Sequence, residues 1–339
     1  MKIGTSKTNF LAGLAFSVAS VTPQNSWYDA CMKPGNEAEA TTVAVMAWRA
    51  GFDLKSGDER VCKGAEENLP KIGYLKLHRE PFDPWWSITS LGPVASQGQL
   101  RALSASHNEI SDLSPLGWLQ ELRTLILWDN KISDISVLGK LKYLTRLTLT
   151  KNSIADLSPV ANLKGLRELS ASENLVASAE PLRSLTNLDT LFIANNRIES
   201  LEPLRELKQL AWADFSSNLI ANLGPLAAMS EMRNLSLARN HVRSLSGLEG
   251  MHVIDALDLR GNQITSLDGL GPLKTLRWLD LRDNKITDFS ALAGLNDLNH
   301  LYIDGNPSTS LPEEVLALQE EHLNSKGEWI RLEVDVLAR

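Results

Sequence analysis

Leu122-Arg-Thr-Leu125-Ile-Leu127-Trp-Asp-Asn130-Lys-Ile132-Ser-Asp-Ile135-Ser-Val-Leu138-Gly-Lys-Leu141 is one period of a pattern that runs through most of the chain. Its asparagine recurs every 22 residues, at Asn108, Asn130, Asn152, Asn174, Asn196, Asn218, Asn240, Asn262, Asn284 and Asn306. Unbroken self-similarity at this period marks a solenoid, in which each unit buries its apolar face only by stacking on its neighbours. The pair Leu125 and Leu127 alternates with period two, so it predicts a short strand with both leucines inward and its other side chains outward. Asn130 stands where the chain leaves that strand, and its amide can donate to and accept from main-chain groups that the turn would otherwise leave unpaired. The ten asparagines are therefore expected to form a structural ladder. The apolar residues that follow at every third position, Ile132, Ile135, Leu138 and Leu141, suit a tight 3-10 or extended return rather than a full α-helix. Pro115, Pro159, Pro181 and Pro203 start that return, where a missing N–H is tolerated.

The expected fold is α/β: a curved right-handed solenoid with a parallel sheet on its concave face, short returns on its convex face and a helical N-terminal cap. Residues 100–311 carry the ten repeats, 20–99 an N-terminal cap with a degenerate first repeat, and 312–339 a C-terminal cap. Caps are required because a solenoid exposes its core at both ends. Thr42 to Ala50 and residues 58–69 read as cap helices. Leu75 and Leu77 match the strand positions of the degenerate repeat, with Glu80 in the anchor place. Glu80 to Asn108 is 28 residues, six more than the period, which predicts a loop around Pro81-Phe-Asp-Pro-Trp-Trp86. Residues 312–322 read as a helix, and Ile330, Leu332, Val334 and Val336 as an edge strand.

Segments such as Asn108-Glu-Ile-Ser-Asp-Leu-Ser-Pro-Leu116 and Asn152-Ser-Ile-Ala-Asp-Leu-Ser-Pro-Val160 resemble the leucine-rich repeats of bacterial internalins. The repeat length is also similar to that of a regulatory subunit of protein phosphatase 1. The resemblance covers residues 100–311 and implies a solenoid that binds another macromolecule. It does not name the partner, because such solenoids bind unrelated ones. No cell-wall sorting motif or C-terminal membrane segment is present in the sequence, which favours a soluble or periplasmic product.

Composition narrows the function. The 339 residues are 43% hydrophobic and 22% charged, enough for a long core. A net charge of −7 without clustered Lys and Arg argues against nucleic acid as a partner. No catalytic motif is found: no phosphate-cradling Gly loop, no Gly-x-Ser-x-Gly elbow, no His-Glu-x-x-His. No cofactor or metal is expected; Asp280, Asp283 and Asp304 lack a calcium-loop pattern. Lys2 and Lys7 ahead of the apolar residues 10–18, with Ala19 and Ser20 after them, are laid out as a signal peptide over residues 1–19. Stable membrane insertion is not expected, since that stretch is too short to span a bilayer. The two cysteines, Cys31 and Cys62, both precede the repeats and would form one disulfide in an exported chain; two buried thiols are the competing reading.

The outward residues of the sheet lie two, four and six positions before each asparagine. Trp128, Phe192, Trp212, Trp278 and Tyr302 fall there, large aromatics that the core does not require and that often dominate interface energy. Asp214, Asp258, Asp280 and Arg282 share the surface. Because Arg260 and Arg282 follow Asp258 and Asp280 by two residues, a self-neutralising network competes with an open acidic site. The C-terminal half of the concave face is thus the expected partner-binding surface, for a protein exported to the periplasm or medium. The alternatives are a cytoplasmic scaffold or regulatory subunit of an enzyme such as a phosphatase, and a polysaccharide binder.

Overall fold

The computed structural model describes residues 31–32, 34–49, 62–63, 65, 68, 73–77, 87–308, 310–319, 322–323, 326, 329–330 and 332–335. Among them, twelve three-residue strands form one parallel sheet. They are β1 (Tyr74–Lys76), β2 (Ala102–Ser104), β3 (Thr124–Ile126), β4 (Arg146–Thr148), β5 (Glu168–Ser170), β6 (Thr190–Phe192), β7 (Trp212–Asp214), β8 (Asn234–Ser236), β9 (Ala256–Asp258), β10 (Trp278–Asp280), β11 (His300–Tyr302) and, at the far edge, β14 (Glu333–Asp335). Register is constant from β2 to β11: Leu103, Leu125, Leu147 and their successors stack directly, and each is buried. In β7 this place falls to Ala213, and the buried Phe215 two residues on supplies bulk to the same repeat, in keeping with a core that tolerates exchanges of volume between neighbours.

The returns are 3-10 turns, as the proline positions imply. Ser114–Trp118, Ser158–Asn162, Glu180–Leu182, Glu202–Leu204 and Gly224–Leu226 all carry proline at their start. Aspartate helps to begin several of them: Asp112 Oδ1 accepts from Ser114 N at 2.8 Å, and Asp156 repeats the bond to Ser158. In the repeat that follows the Gly224–Leu226 turn, Gly247 takes over with φ +110°, and a Cβ there would lie 2.2 Å from Leu223 O. Adjacent returns approach so closely at this point that no side chain fits.

Every asparagine of the ladder bridges two repeats. Asn196 Nδ2 reaches Ala171 O at 3.0 Å and its own strand's Ile193 O and Ala194 O at 3.1 Å, while Oδ1 accepts from Val176 N at 2.9 Å. The residue before it stands in the left-handed region, as do its equivalents His107, Asp129, Lys151, Glu173, Ser217, Arg239 and Asp283, all at φ between 53° and 58°. Two further repeats place glycine there, Gly261 and Gly305. That conformation swings the chain out of the strand and aims the asparagine inward, at a cost in backbone energy for every residue but glycine.

At the N-terminal end, helix α1 (Glu37–Arg49) begins five residues before the expected Thr42. Asn36 Oδ1 accepts from Glu39 N at 2.9 Å and Glu39 Oε2 accepts from Gly35 N at 2.8 Å, a reciprocal capping arrangement. Met46 and Val43 are buried in the core, and Thr42 Oγ1 donates to Ser90 O at 2.6 Å. Cys31 and Cys62 are bridged, with Cα atoms 5.6 Å apart and both residues fully buried. Closing a loop of 31 residues removes disorder from the unfolded chain worth about 3–4 kcal/mol. The six-residue insertion shows in the ladder: Asn108 Nδ2 reaches back 31 positions to Leu77 O, whereas its successors reach 25. The expected signal segment, most of the second cap helix and the Phe82 to Trp86 loop lie outside the described residues.

At the C-terminal end the expected helix is shorter than read. Helix α2 covers Glu313–Leu316 and runs into a 3-10 turn at Ala317–Gln319. A small antiparallel pair follows, β12 (His322–Leu323) with β13 (Trp329–Ile330). Among the described residues of the expected edge strand, Glu333–Asp335 join the main sheet, pairing with β11.

Candidate recognition surface

The concave face follows the predicted register. In β7 to β10 the row six places before the asparagines reads Trp212, Asn234, Ala256 and Trp278, aligned strand to strand. With strands about 4.8 Å apart, the two tryptophans stand about 14 Å from each other. The next row reads Asp214, Ser236, Asp258 and Asp280, the first and third about 10 Å apart by the same spacing. Small side chains at Asn234, Ser236 and Ala256 thus leave a floor between two aromatic walls. The result is a hollow of about 320 Å³ bordered by Phe192, Trp212, Asp214, Asp258 and Trp278.

Trp212, 44% exposed, is a ridge shared with a second hollow of about 430 Å³ towards the strand starts. Arg233, Asp255, Arg277 and Lys326 border that one. Arg277 Nε lies 3.6 Å from Asp255 Oδ1. The two sides of Trp212 therefore differ in charge: carboxylates alone on one, and three cations with Asp255 and Asp297 on the other.

The acidic residues divide in an unexpected way. Asp280, expected on the open face, has a fully buried side chain. Arg282 folds back over it, with Nε 3.0 Å from both carboxylate oxygens, Nη2 against Oδ2, and its backbone N 3.0 Å from Oδ1. The same guanidinium lies 5.0 Å from the ring centre of Tyr302, and Tyr302 packs at 5.5 Å against Trp278. Trp278 is thus braced on its C-terminal side by a connected network. Being next to Asp280 raises the affinity of Arg282 for its proton further.

Asp258 is held more loosely. Arg260 N donates to its Oδ1 at 3.2 Å, and Arg260 Nε lies 3.4 Å from Oδ2 without making a hydrogen bond. Burial pushes its carboxyl above the ordinary value, aided by the Asp280 charge and opposed by Arg260 and Arg282. Asp214 accepts from Ser216 N at 2.9 Å and has no cationic partner among the described residues.

Two family models match the chain, one described as leucine-rich repeat over residues 85–186 and one as leucine-rich repeats in two copies over residues 274–317. The chain carries leucine-rich repeats, and its sheet and returns have the fold of a leucine-rich-repeat solenoid. Among solved structures it is similar to the internalin InlF of Listeria monocytogenes, at 24% identity over 90% of this chain and 88% of that one, with a TM-score of 0.68. Internalin C2 of the same organism shares 27% identity over 62% of this chain and 83% of its own, with a TM-score of 0.50. A leucine-rich-repeat protein of Leptospira interrogans matches at 22% identity over 72% and 74%, with a TM-score of 0.53. No curated protein sequence matches the chain.

The leucine-rich-repeat array brings Phe192, Trp212, Asp214, Asp258 and Trp278 to one hollow, with Asp280, Arg282 and Tyr302 bracing its rim. It does not bring Trp128 there. That side chain, 41% exposed, lies four strands before Trp212 and packs edge-on against His107 at 4.3 Å. Asp129 beside it takes ion pairs of 3.0 Å from His107 and Lys151. Sequence reasoning missed four residues of this face. Tyr74 extends the outward rows onto β1 and is 50% exposed, a position that Leu75 and Leu77 already implied by period two. Arg233, Asp255 and Arg277 stand one residue before their strands, outside the rows counted from the asparagines. Among the described residues no cluster of His, Cys, Asp and Glu is arranged to hold a metal ion, and no helix is long and apolar enough to cross a membrane.

Proposed function

We propose that this leucine-rich-repeat protein is an exported, non-enzymatic recognition module that binds a protein partner on the C-terminal half of its concave face. The observation that carries the reading is the pair of outward tryptophans, Trp212 and Trp278, walling a hollow whose floor is small side chains. Aromatic anchors with polar surroundings are how a few residues come to dominate binding. The signal-like layout of residues 1–19 and the Cys31–Cys62 bridge support export, since such bridges persist in oxidising compartments. The likeness to internalins supports a recognition role.

The test is photo-crosslinking in the native compartment, with a benzophenone side chain at Ala256 on the hollow floor or at Lys164 on the return side. A partner trapped from position 256 and lost in Trp278→Ala, with circular dichroism unchanged, supports the reading. Equal trapping from position 164, or full trapping in Trp278→Ala, places recognition elsewhere. An intact mass that retains residues 1–19 removes the export part.

A further inference from the structure

We propose that the hollow between Trp212 and Trp278 accepts one arginine or lysine side chain, so that the partner is a protein offering a basic segment. The inference rests on the concave-face reading above and names the chemistry that the surface selects.

The walls and the charges converge on a cation. Two indole rings about 14 Å apart leave room between them for a planar or rod-like group, and an indole face attracts a cation through its quadrupole. Asp214 and Asp258 border the same hollow, separated only by Ser236. Asp214 has no cation against it among the described residues, and Asp258 has Arg260 Nε at 3.4 Å without a hydrogen bond to it. Apart from Arg260, the neighbouring cations have other partners or places: Arg282 is turned onto Asp280, and Arg233, Arg277 and Lys326 border the other hollow across Trp212.

Competing ligands fit less well. An anion would meet two carboxylates. A neutral sugar could stack on the indoles and donate its hydroxyls to the carboxylates, yet it would bring no opposite charge to either of them. An arginine fork can lie on one ring and bond a carboxylate at the same time, whereas a lysine supplies a point charge. Burial already lifts the proton affinity of Asp258, so a cation arriving there would displace any proton that remains on it.

The experiment titrates the full chain with three probes: an acetylated, amidated tetra-arginine peptide, its tetra-citrulline counterpart and cellotetraose. Indole fluorescence and calorimetry read binding at two salt concentrations. Tetra-arginine is expected to bind with salt sensitivity, and citrulline at least about tenfold more weakly, because the shape is kept and the charge is lost. Asp214→Asn and Asp258→Asn together should weaken arginine binding about tenfold or more, while Glu199→Gln, an exposed acid outside the hollow, should leave it unchanged. Equal affinity for citrulline, indifference to the two Asp→Asn changes, an equal effect of Glu199→Gln, or binding of cellotetraose alone would each overturn the proposal. If tetra-arginine fails while Trp278→Ala still abolishes crosslinking at Ala256, only the cation inference falls. If crosslinking is also indifferent to Trp278, the concave-face reading falls with it.

Discussion

Arg282 closes the carboxylate of Asp280 off from water across a step of only two residues, and rests its guanidinium on the ring of Tyr302 one strand further on. Removing one member of a buried pair leaves the other without compensation. Arg282→Ala is therefore expected to lower stability by about 3 kcal/mol, read as a shift in urea midpoint. Replacing both partners together, Asp280→Leu with Arg282→Leu, should restore most of that loss, since no buried charge remains. A double variant as unstable as the single one would show that the pair contributes more than its own compensation.

Asp258 gives the molecule a pH signature. Its folded-state pKa is raised above the ordinary 3.8 by burial, so the native state holds the proton more tightly than the unfolded chain does. Stability then falls as pH rises through the interval above 3.8. Asp258→Asn cannot ionise and should gain on the wild type as pH rises through that interval, with no change in the difference below it. Parallel denaturation of the two proteins from pH 3 to pH 7 measures this, and a flat or opposite trend would refute it.

The asparagine ladder makes a direct demand on stability. Asn196 serves three carbonyls and one amide spread over two repeats. Asn196→Ala strands those groups, and the expected loss is about 1–3 kcal/mol. Denaturant stability equal to wild type would mean that water replaces the side chain without penalty.

Glu173 is exposed and sits at φ 55°, so its side chain hardly matters but its backbone does. Glu173→Val should cost about 1–2 kcal/mol, because a β-branched residue is strained in the left-handed region. Glu173→Gly should stay within about 0.5 kcal/mol of wild type, as relief of strain offsets the added freedom of the unfolded chain. Equal loss in both would assign the effect to the glutamate side chain instead.

The period of the asparagines was enough to place the strands, the returns and the outward rows, because in a solenoid one register settles every repeat. What it could not decide was how two identical local sequences behave. Asp258-Leu-Arg260 and Asp280-Leu-Arg282 read alike, yet only the second buries its acid completely. The difference comes from the next strand: Tyr302 stands beside Asp280 and gives Arg282 a ring to lie on, whereas the residue beside Asp258 is Asp280 itself. The earlier start of α1 was legible in Asn36-Glu-Ala-Glu39, a capping pattern that the apolar periodicity from Thr42 onward had overshadowed. The shortened C-terminal helix was not legible, since no repeat extends past Asn306 to set a register.

The ladder also gives the array a direction. From Asn130 onward each asparagine sends bonds backwards, to a carbonyl 25 residues earlier and an amide 20 residues earlier, so each of these repeats is tied to the one before it. Loss of a repeat from the N-terminal end strands the amide of the asparagine that follows, as Asn130 would be stranded without Ala105 O and Ile110 N. Loss from the C-terminal end opens the repeat before it, and Asn306 has no asparagine 22 residues beyond it, where Glu328 stands. The two ends of the array therefore differ in what a lost neighbour leaves unpaired, an asparagine amide at the start and a carbonyl with a backbone N–H at the finish, and α2, Glu313–Leu316, follows that last repeat.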